Sequence, residues 1–172
     1  MEGAPPSAWR VARAILPLPF TATVVLPALI LLGGSDAWGW SSSGRVVAGV
    51  TGAALIAAGL SVFIATVRLF ATRGRGTLAP WDPPTRLVVA GPYRYLRHPM
   101  ISGVATVLAG ETLLFARSGL AIWLAAFVAV NALYLPLVEE PSLVRRFGAD
   151  YERYMRHVRR WLPRLRPWDP GT

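Results

Sequence analysis

The stretch Gly91-Pro92-Tyr93-Arg94-Tyr95-Leu96-Arg97-His98-Pro99 crowds arginine, histidine and tyrosine together immediately before an apolar run. At the end of the following apolar run stands the pair Glu139-Glu140. Guanidinium groups grip carboxylates and phosphates through parallel N–H donors, and carboxylates accept from ammonium groups and ribose hydroxyls. Brought together, these residues could hold a zwitterionic ligand; the same charges could equally form a structural salt-bridge network. Ionisable clusters beside membrane segments are costly to keep there, so the first expectation is a reactive site at a membrane surface.

The elements that must position these residues are apolar. Segments 15–34, 46–70, 100–115 and 120–138 read as membrane helices. Pro17, Pro19 and Pro27 predict a kinked or late-starting first helix. Gly49, Gly52 and Gly59 predict close packing of the second. Only Ala116-Arg117-Ser118-Gly119 separates the last two, which predicts an antiparallel hairpin. The chain leaves one membrane face after His98 and returns to it at Glu139, so the two motifs share a depth.

The expected architecture is therefore all-α and polytopic, with about four transmembrane helices in one domain over 1–172. Its parts are an N-terminal transmembrane pair over 1–70, a loop over 71–99, a hairpin over 100–138 and a tail over 139–172. The tail reads as an amphipathic helix: Leu143, Phe147, Tyr151, Tyr154, Val158 and Trp161 recur at helical spacing between arginines. Pro141 and the acidic pair suit its first turn, and Gly148 is a candidate break. Such a helix could rest on anionic lipid or form a lid over a site.

Composition agrees with a membrane class. Hydrophobic residues make up 53% of the 172, and charged residues 16%, against about 25% in a typical soluble domain. The net charge of +9 comes from 18 arginines and no lysine. Such a pattern fits a GC-rich bacterial genome and hence an inner membrane. Two arginines precede the first segment, five lie in the 71–99 loop and eight follow Glu140, while the opposite loops hold Arg45 and Arg117. The positive-inside rule then puts both termini and the large loop in the cytoplasm. Arg10 and Arg13 before the first segment are read as flanking a retained helix rather than a cleaved signal. So apolar a chain is not expected to bind nucleic acid. Without cysteine, and with only two histidines, neither disulfides nor a metal site are expected.

The Gly91–Pro99 string with Gly103, followed by Glu139-Glu140, Leu143, Phe147-Gly148, Tyr151, Tyr154, Val158 and Trp161-Leu162-Pro163, resembles the isoprenylcysteine carboxyl methyltransferase and phospholipid methyltransferase superfamily. Pro80-Trp81-Asp82-Pro83-Pro84 is similar to its bacterial members. The resemblance runs from Thr77 to Pro163, about half the chain. It implies an integral-membrane methyltransferase using S-adenosylmethionine, with a lipidic or isoprenoid-like acceptor. It further implies that Arg97, His98, Pro99 and Gly103 line a cytoplasm-facing cofactor pocket, with Tyr93 and Arg94 on the same loop. Glu139 and Glu140 would meet the methionine ammonium or the ribose, and Tyr151 and Tyr154 would close the pocket. One position departs from the family pattern: Ile101 stands where tyrosine is usual, which leaves the acceptor less specified than the cofactor.

Methyl transfer is an in-line displacement that consumes the sulfonium charge, so alignment and a dry site carry most of it. A carboxylate acceptor, the favoured one, would be oriented by Arg94 or Arg145. An amine acceptor would need a base, for which Glu140 is the candidate. Two other readings compete. Sterol-reductase-like membrane enzymes using NADPH share the Arg-His-Pro pattern, and a non-enzymatic lipid-binding protein would also carry a basic tail. Outside the cluster, Glu111 is expected to snorkel to an interface and Asn131 to join helices or line an acceptor tunnel. His157 is expected in solvent, and Trp9, Trp38, Trp40, Trp81 and Trp168 at interfaces.

Overall fold

The computed structural model describes residues 16–34, 36–73 and 87–169. The Arg10/Arg13 tail, Trp9, the Pro80–Pro84 string and positions 74–86 of the large loop lie outside the described residues. Helix α1 winds in wide π-type turns over Leu16–Val25 and continues as an α-helix over Leu26–Leu32. Proline removes backbone donors in these first turns, and the Thr23 hydroxyl donates to Pro19 O at 2.8 Å. Helix α2 covers Ser42–Arg73 and α3 covers Pro99–Phe115, one residue from the boundary expected from the apolar run.

Ala116 turns the chain with a left-handed φ of 50°, and α4 follows over Ser118–Tyr134. A wide π-type turn over Leu135–Glu139 leads directly into α5, Glu140–Phe147. The helix therefore runs unbroken through position 139, where the sequence suggested a new start. The acidic pair does not sit at a free helix N-terminus, so the helix dipole cannot be what stabilises it.

Two of these helices, Ser42–Leu69 and Ser118–Phe147, are long and apolar enough to cross a membrane; only 17% and 6% of their most apolar windows are buried. A helix inside a soluble core would hide most of that surface. Here Val46, Val50, Ile122, Val130, Leu133 and Leu137 point outward, as side chains facing lipid do. The apolar part of the second ends at Val138.

Helices α2 and α3 meet backbone to backbone. A Cβ added at Gly52 would lie 2.7 Å from Gly110 O, and one at Gly59 would lie 2.6 Å from Gly103 O. Small residues that let helices approach this closely are a membrane packing device. Gly49 takes no part, because nothing lies within 4 Å of its would-be Cβ. At one end of the bundle the loops before α2 and after α3 pair: Trp38 N–H donates to Ala116 O at 3.0 Å and Ser118 N–H to Asp36 O at 2.9 Å. These are the two loops expected opposite the basic regions, and they do share one end. Trp123 Nε1–H donates to Ala22 O at 3.0 Å, tying α4 to α1.

Two polar residues behave otherwise than expected. The Asn131 amide donates to Phe127 O of its own helix at 2.8 Å rather than joining helices. Glu111 does not reach an interface with both oxygens, since its Oε2 is buried without a hydrogen-bond partner.

The tail corrects a larger expectation. Gly148, with φ of 55°, separates α5 from α6, Ala149–His157. Tyr151, Tyr154, Val158 and Trp168 form a buried cluster, against which Leu87, Val89, Leu143 and Phe147 pack. The apolar face of the tail is thus covered by protein, not by lipid. Trp168 is a core residue rather than an interfacial one, and His157 stacks on it with ring centroids 5.2 Å apart.

Candidate functional site

At the other end of the bundle from the paired loops, Pro92 starts a tight 3-10 turn over Gly91–Arg94. Gly91 holds a φ of 52° there, a conformation glycine accepts without strain. Tyr95 and Leu96 N–H both donate to Pro92 O, at 3.0 and 3.1 Å, which compacts the loop. Pro99 then begins α3, where its missing N–H costs nothing. His98 is left fixed at the helix start, 5% exposed.

The wide turn over Leu135–Glu139, with Pro136 inside it, delivers two consecutive glutamates to this histidine. Such bulges recur at functional sites because they re-aim side chains. Glu139 Oε1 lies 3.3 Å from His98 Nδ1 and Glu140 Oε1 lies 3.3 Å from His98 Nε2. An imidazole with a carboxylate at each nitrogen is best satisfied as the doubly protonated cation. Burial alone would lower the His98 pKa, but the hydrogen bonds to Glu139 and Glu140 outweigh it and raise it above the ordinary value.

Glu140 is the hub. Its Oε1 accepts from Arg97 Nη1 at 2.8 Å and from Arg160 Nε at 2.8 Å, and its Oε2 from Arg160 Nη2 at 2.6 Å. The Arg160 contact is bidentate, the strongest pairing open to a carboxylate. Burial would raise the Glu140 pKa; hydrogen bonds from Arg160 and His98, with the Arg97 charge, overcome it and hold the carboxyl at about 2. Arg97 also donates from Nε to Val158 O at 2.7 Å and from its backbone N–H to Arg159 O at 3.0 Å. One residue thereby ties loop, acidic pair and tail together. Arg97, Arg160 and, when protonated, His98 face the two carboxylates.

The structure thus brings Arg97, His98, Glu139 and Glu140 into one cluster. Tyr93, Tyr151 and Tyr154 lie against it. The Tyr154 hydroxyl donates to Tyr93 O at 2.7 Å and supports the loop from beneath. The Tyr151 hydroxyl is buried with no partner, its pKa pushed up by burial and then by the Glu140 charge.

Other predicted residues stand elsewhere. Arg94 donates from Nε to Trp168 O at 2.8 Å and pairs with Asp169 at 2.9 Å, so it is spent on the tail. Arg145 is exposed on α5. Gly103 faces α2, where its missing side chain makes room for Gly59. Pro99 is buried as the first residue of α3. Glu140, the candidate base for an amine acceptor, is held as a weakly basic carboxylate by Arg160, His98 and Arg97. Arg160 was missed: it is one of eight arginines after Glu140, and nothing in its spacing distinguishes it. Among the described residues no group of three or more histidine, aspartate or glutamate side chains converges as a metal site would.

The family model described as phospholipid methyltransferase matches residues 47–150 of the 172, and no curated protein matches the chain. The match takes in the glycine contact, the loop and the acidic pair, and ends before Tyr151, Arg160 and Trp168.

Proposed function

Because this chain belongs to the phospholipid methyltransferase family, whose activity is methyl transfer at membranes, we propose that it methylates a lipidic or isoprenoid-like acceptor using S-adenosylmethionine. The proposal includes four membrane spans, with the site and both termini on the cytoplasmic face of a bacterial inner membrane. The observation that carries it is the cluster around Glu140 with its orphan neighbour. The buried Tyr151 hydroxyl lacks a partner, and the side chains of Glu139 and Arg160 are 33% and 30% exposed at the rim. A carboxylate acceptor for an ammonium, a guanidinium for a carboxylate and a spare hydroxyl suit the methionine part of that cofactor.

When bound, the cofactor supplies an electrophilic methyl group on a sulfonium sulfur. The chain's own residues do the rest. Glu139 offers an oxygen to the ammonium, and Arg160 keeps N–H donors beyond those given to Glu140. Arg97 and His98 hold Glu140 so that the rim does not shift. Apolar α3 and α4 lead from the bilayer to this level, which lets an apolar acceptor approach while water is excluded.

Carboxyl O-methylation is the favoured reaction. A carboxylate acceptor arrives already ionised and needs no base, whereas an amine acceptor does. Glu140, held at about 2, takes up a proton poorly. With Arg94 bonded to the tail and Arg160 given to the cofactor carboxylate, the exposed Arg145 is the group left to orient an acceptor carboxylate. Headgroup N-methylation is the second reading, favoured by the family's description.

Calorimetry in detergent tests the cofactor. S-adenosylhomocysteine should bind saturably to the wild type and at least tenfold more weakly to Glu139→Ala. Binding of NADPH instead would move the chain to reductase chemistry, and binding of neither would favour a non-enzymatic lipid-binding protein. Labelled methyl groups incorporated into extracted lipid should be released by mild base if they are esters. Base-stable label would establish N-methylation instead.

A further inference from the structure

After α6 the chain does not hang free. Its return across the motif loop is pinned by Arg97 N–H to Arg159 O at 3.0 Å, Arg164 N–H to Tyr95 O at 3.0 Å and Trp168 N–H to Arg94 O at 2.9 Å. Trp168 is buried, and Pro163 and Pro167 stiffen the backbone between these ties. The Arg164 side chain folds back on the segment, donating to His157 O and Arg166 O. The segment is therefore a rigid strap.

What the strap presents outward is apolar. Leu165 is 100% exposed and Leu162 63%, on either side of Arg164, whose backbone N–H is held to Tyr95 O. Arg159 and Arg166 beside them are exposed as well. A lone exposed leucine means little. Two leucines fixed on one rigid loop with flanking guanidinium groups make an amphipathic surface of stated charge. Its height is set too: Tyr95, to which the strap is tied, lies four residues before Pro99, where apolar α3 begins. That is the level at which a bilayer's headgroups meet its acyl chains.

We propose that the strap 159–166 docks on the anionic headgroup layer of the bilayer that holds the helices, with Leu162 and Leu165 inserted among the acyl chains and Arg159 and Arg166 on lipid phosphates. Exposed arginines near a membrane surface gain from anionic lipid, and leucine side chains from leaving water. The helical face of the tail, once expected to do this, is occupied by protein; the loop beyond it is not. This surface is independent of which acceptor the enzyme uses.

The chain has no cysteine, so a single nitroxide can be placed at will on the full-length protein in nanodiscs. Leu165→Cys and, as a comparator on the exposed face of α6, Glu152→Cys would be labelled and relaxed by oxygen and by a water-soluble nickel chelate. The label at 165 should favour oxygen and the label at 152 the chelate. Mixing phosphatidylglycerol into phosphatidylcholine should deepen the former, and adding Arg159→Gln with Arg166→Gln should abolish that lipid dependence. Circular dichroism and the elution profile would establish that each variant is folded. A label at 165 as open to the chelate as that at 152 overturns the proposal, as does immersion indifferent to headgroup charge. Dipolar broadening between labels at 165 would assign the surface to a second copy and also overturn it.

Discussion

Between α2 and α3, Gly52 with Gly110 and Gly59 with Gly103 come so close that a single added methyl group would collide with a carbonyl. At the loop end of the same α3, His98, Arg97 and Arg160 close on Glu140 through charge-assisted hydrogen bonds. The first contact holds because something is missing, and it has no net charge, donor or titratable group. The second holds because each member answers another, and removing one strands the rest. A bilayer rewards the first, since lipid offers no hydrophobic drive for helix association and close packing must supply it. The proposed site, which would grip a charged ligand at the water's edge, requires the second. The difference teaches where each contact is vulnerable: one to added volume, the other to lost charge.

The sharpest break is Glu140→Gln. It preserves shape and leaves Arg97, His98 and Arg160 facing one another, and breaking a buried ion pair costs about 3 kcal/mol or more. Partial exposure of Arg160 keeps the figure toward the low end. Thermal unfolding in detergent should show the loss. Adding Arg160→Gln should cost less than the sum of the two single changes, because the second removes a cation the first left unpaired.

The pH profile separates the two contacts without mutation. Glu140 has a folded pKa of about 2 against an ordinary 4.5, so its contribution is full above pH 4.5 and fades as pH falls toward 2. His98 has a raised pKa against an ordinary 6.5, so its contribution is full below pH 6.5 and is lost as pH rises through the raised value. The clamp should be strongest between these limits. Melting temperature in Glu140→Gln should lose the acid-side slope and flatten on the basic side. A wild-type slope that survives the substitution would place its origin elsewhere in the chain.

Gly59→Ala attacks the other contact. Its Cβ would meet Gly103 O at 2.6 Å, Val107 Cγ2 at 2.8 Å and Val107 N at 2.9 Å. Two of the three are backbone atoms that cannot rotate away, so overpacking should cost about 1–3 kcal/mol. The change in melting temperature should be the same at pH 5 and pH 8, because neither glycine pair titrates. A pH-dependent change would mean that the helix contact and the clamp move as one unit.

These two regions were unequally legible in sequence. The start of α3 at Pro99 and the hairpin at Ala116 follow from an apolar run bounded by proline and by a short polar turn, so they were read to within a residue or two. Gly52 and Gly59 could be named because small residues in a membrane helix have few other uses. Their partners could not, since a glycine pattern carries no record of which helix it meets. The resemblance placed Gly103 at the cofactor pocket, and only the structure shows its contact with Gly59 of α2. The heptad-like face of the tail was visible, but amphipathic spacing says only that a face is covered, not whether lipid, Leu87 and Val89 or Trp168 covers it. Arg160 was invisible for a similar reason: it lies beyond the last helix, and only the return of the chain across the motif loop brings it to Glu140. The pairing of His98 with both glutamates needed the wide turn at Leu135–Glu139, which Pro136 hints at and does not specify.

The smallest expected effect is the most discriminating control. Gly49 lies one turn from Gly52 on α2, and the sequence groups the two together. Nothing lies within 4 Å of a Cβ at Gly49, while one at Gly52 would lie 2.7 Å from Gly110 O. Gly49→Ala therefore adds no contact and removes a flexible residue from a helix interior, a gain of up to about 1 kcal/mol on helix propensity alone. In a membrane helix the gain should be smaller, because the unfolded reference in detergent is itself largely helical. The expected result is a melting temperature unchanged or slightly raised, beside a clear loss in Gly52→Ala. Equal destabilisation by both would mean that α2 packs on a second surface through Gly49, and the contact with α3 could no longer be credited to the two glycine pairs alone.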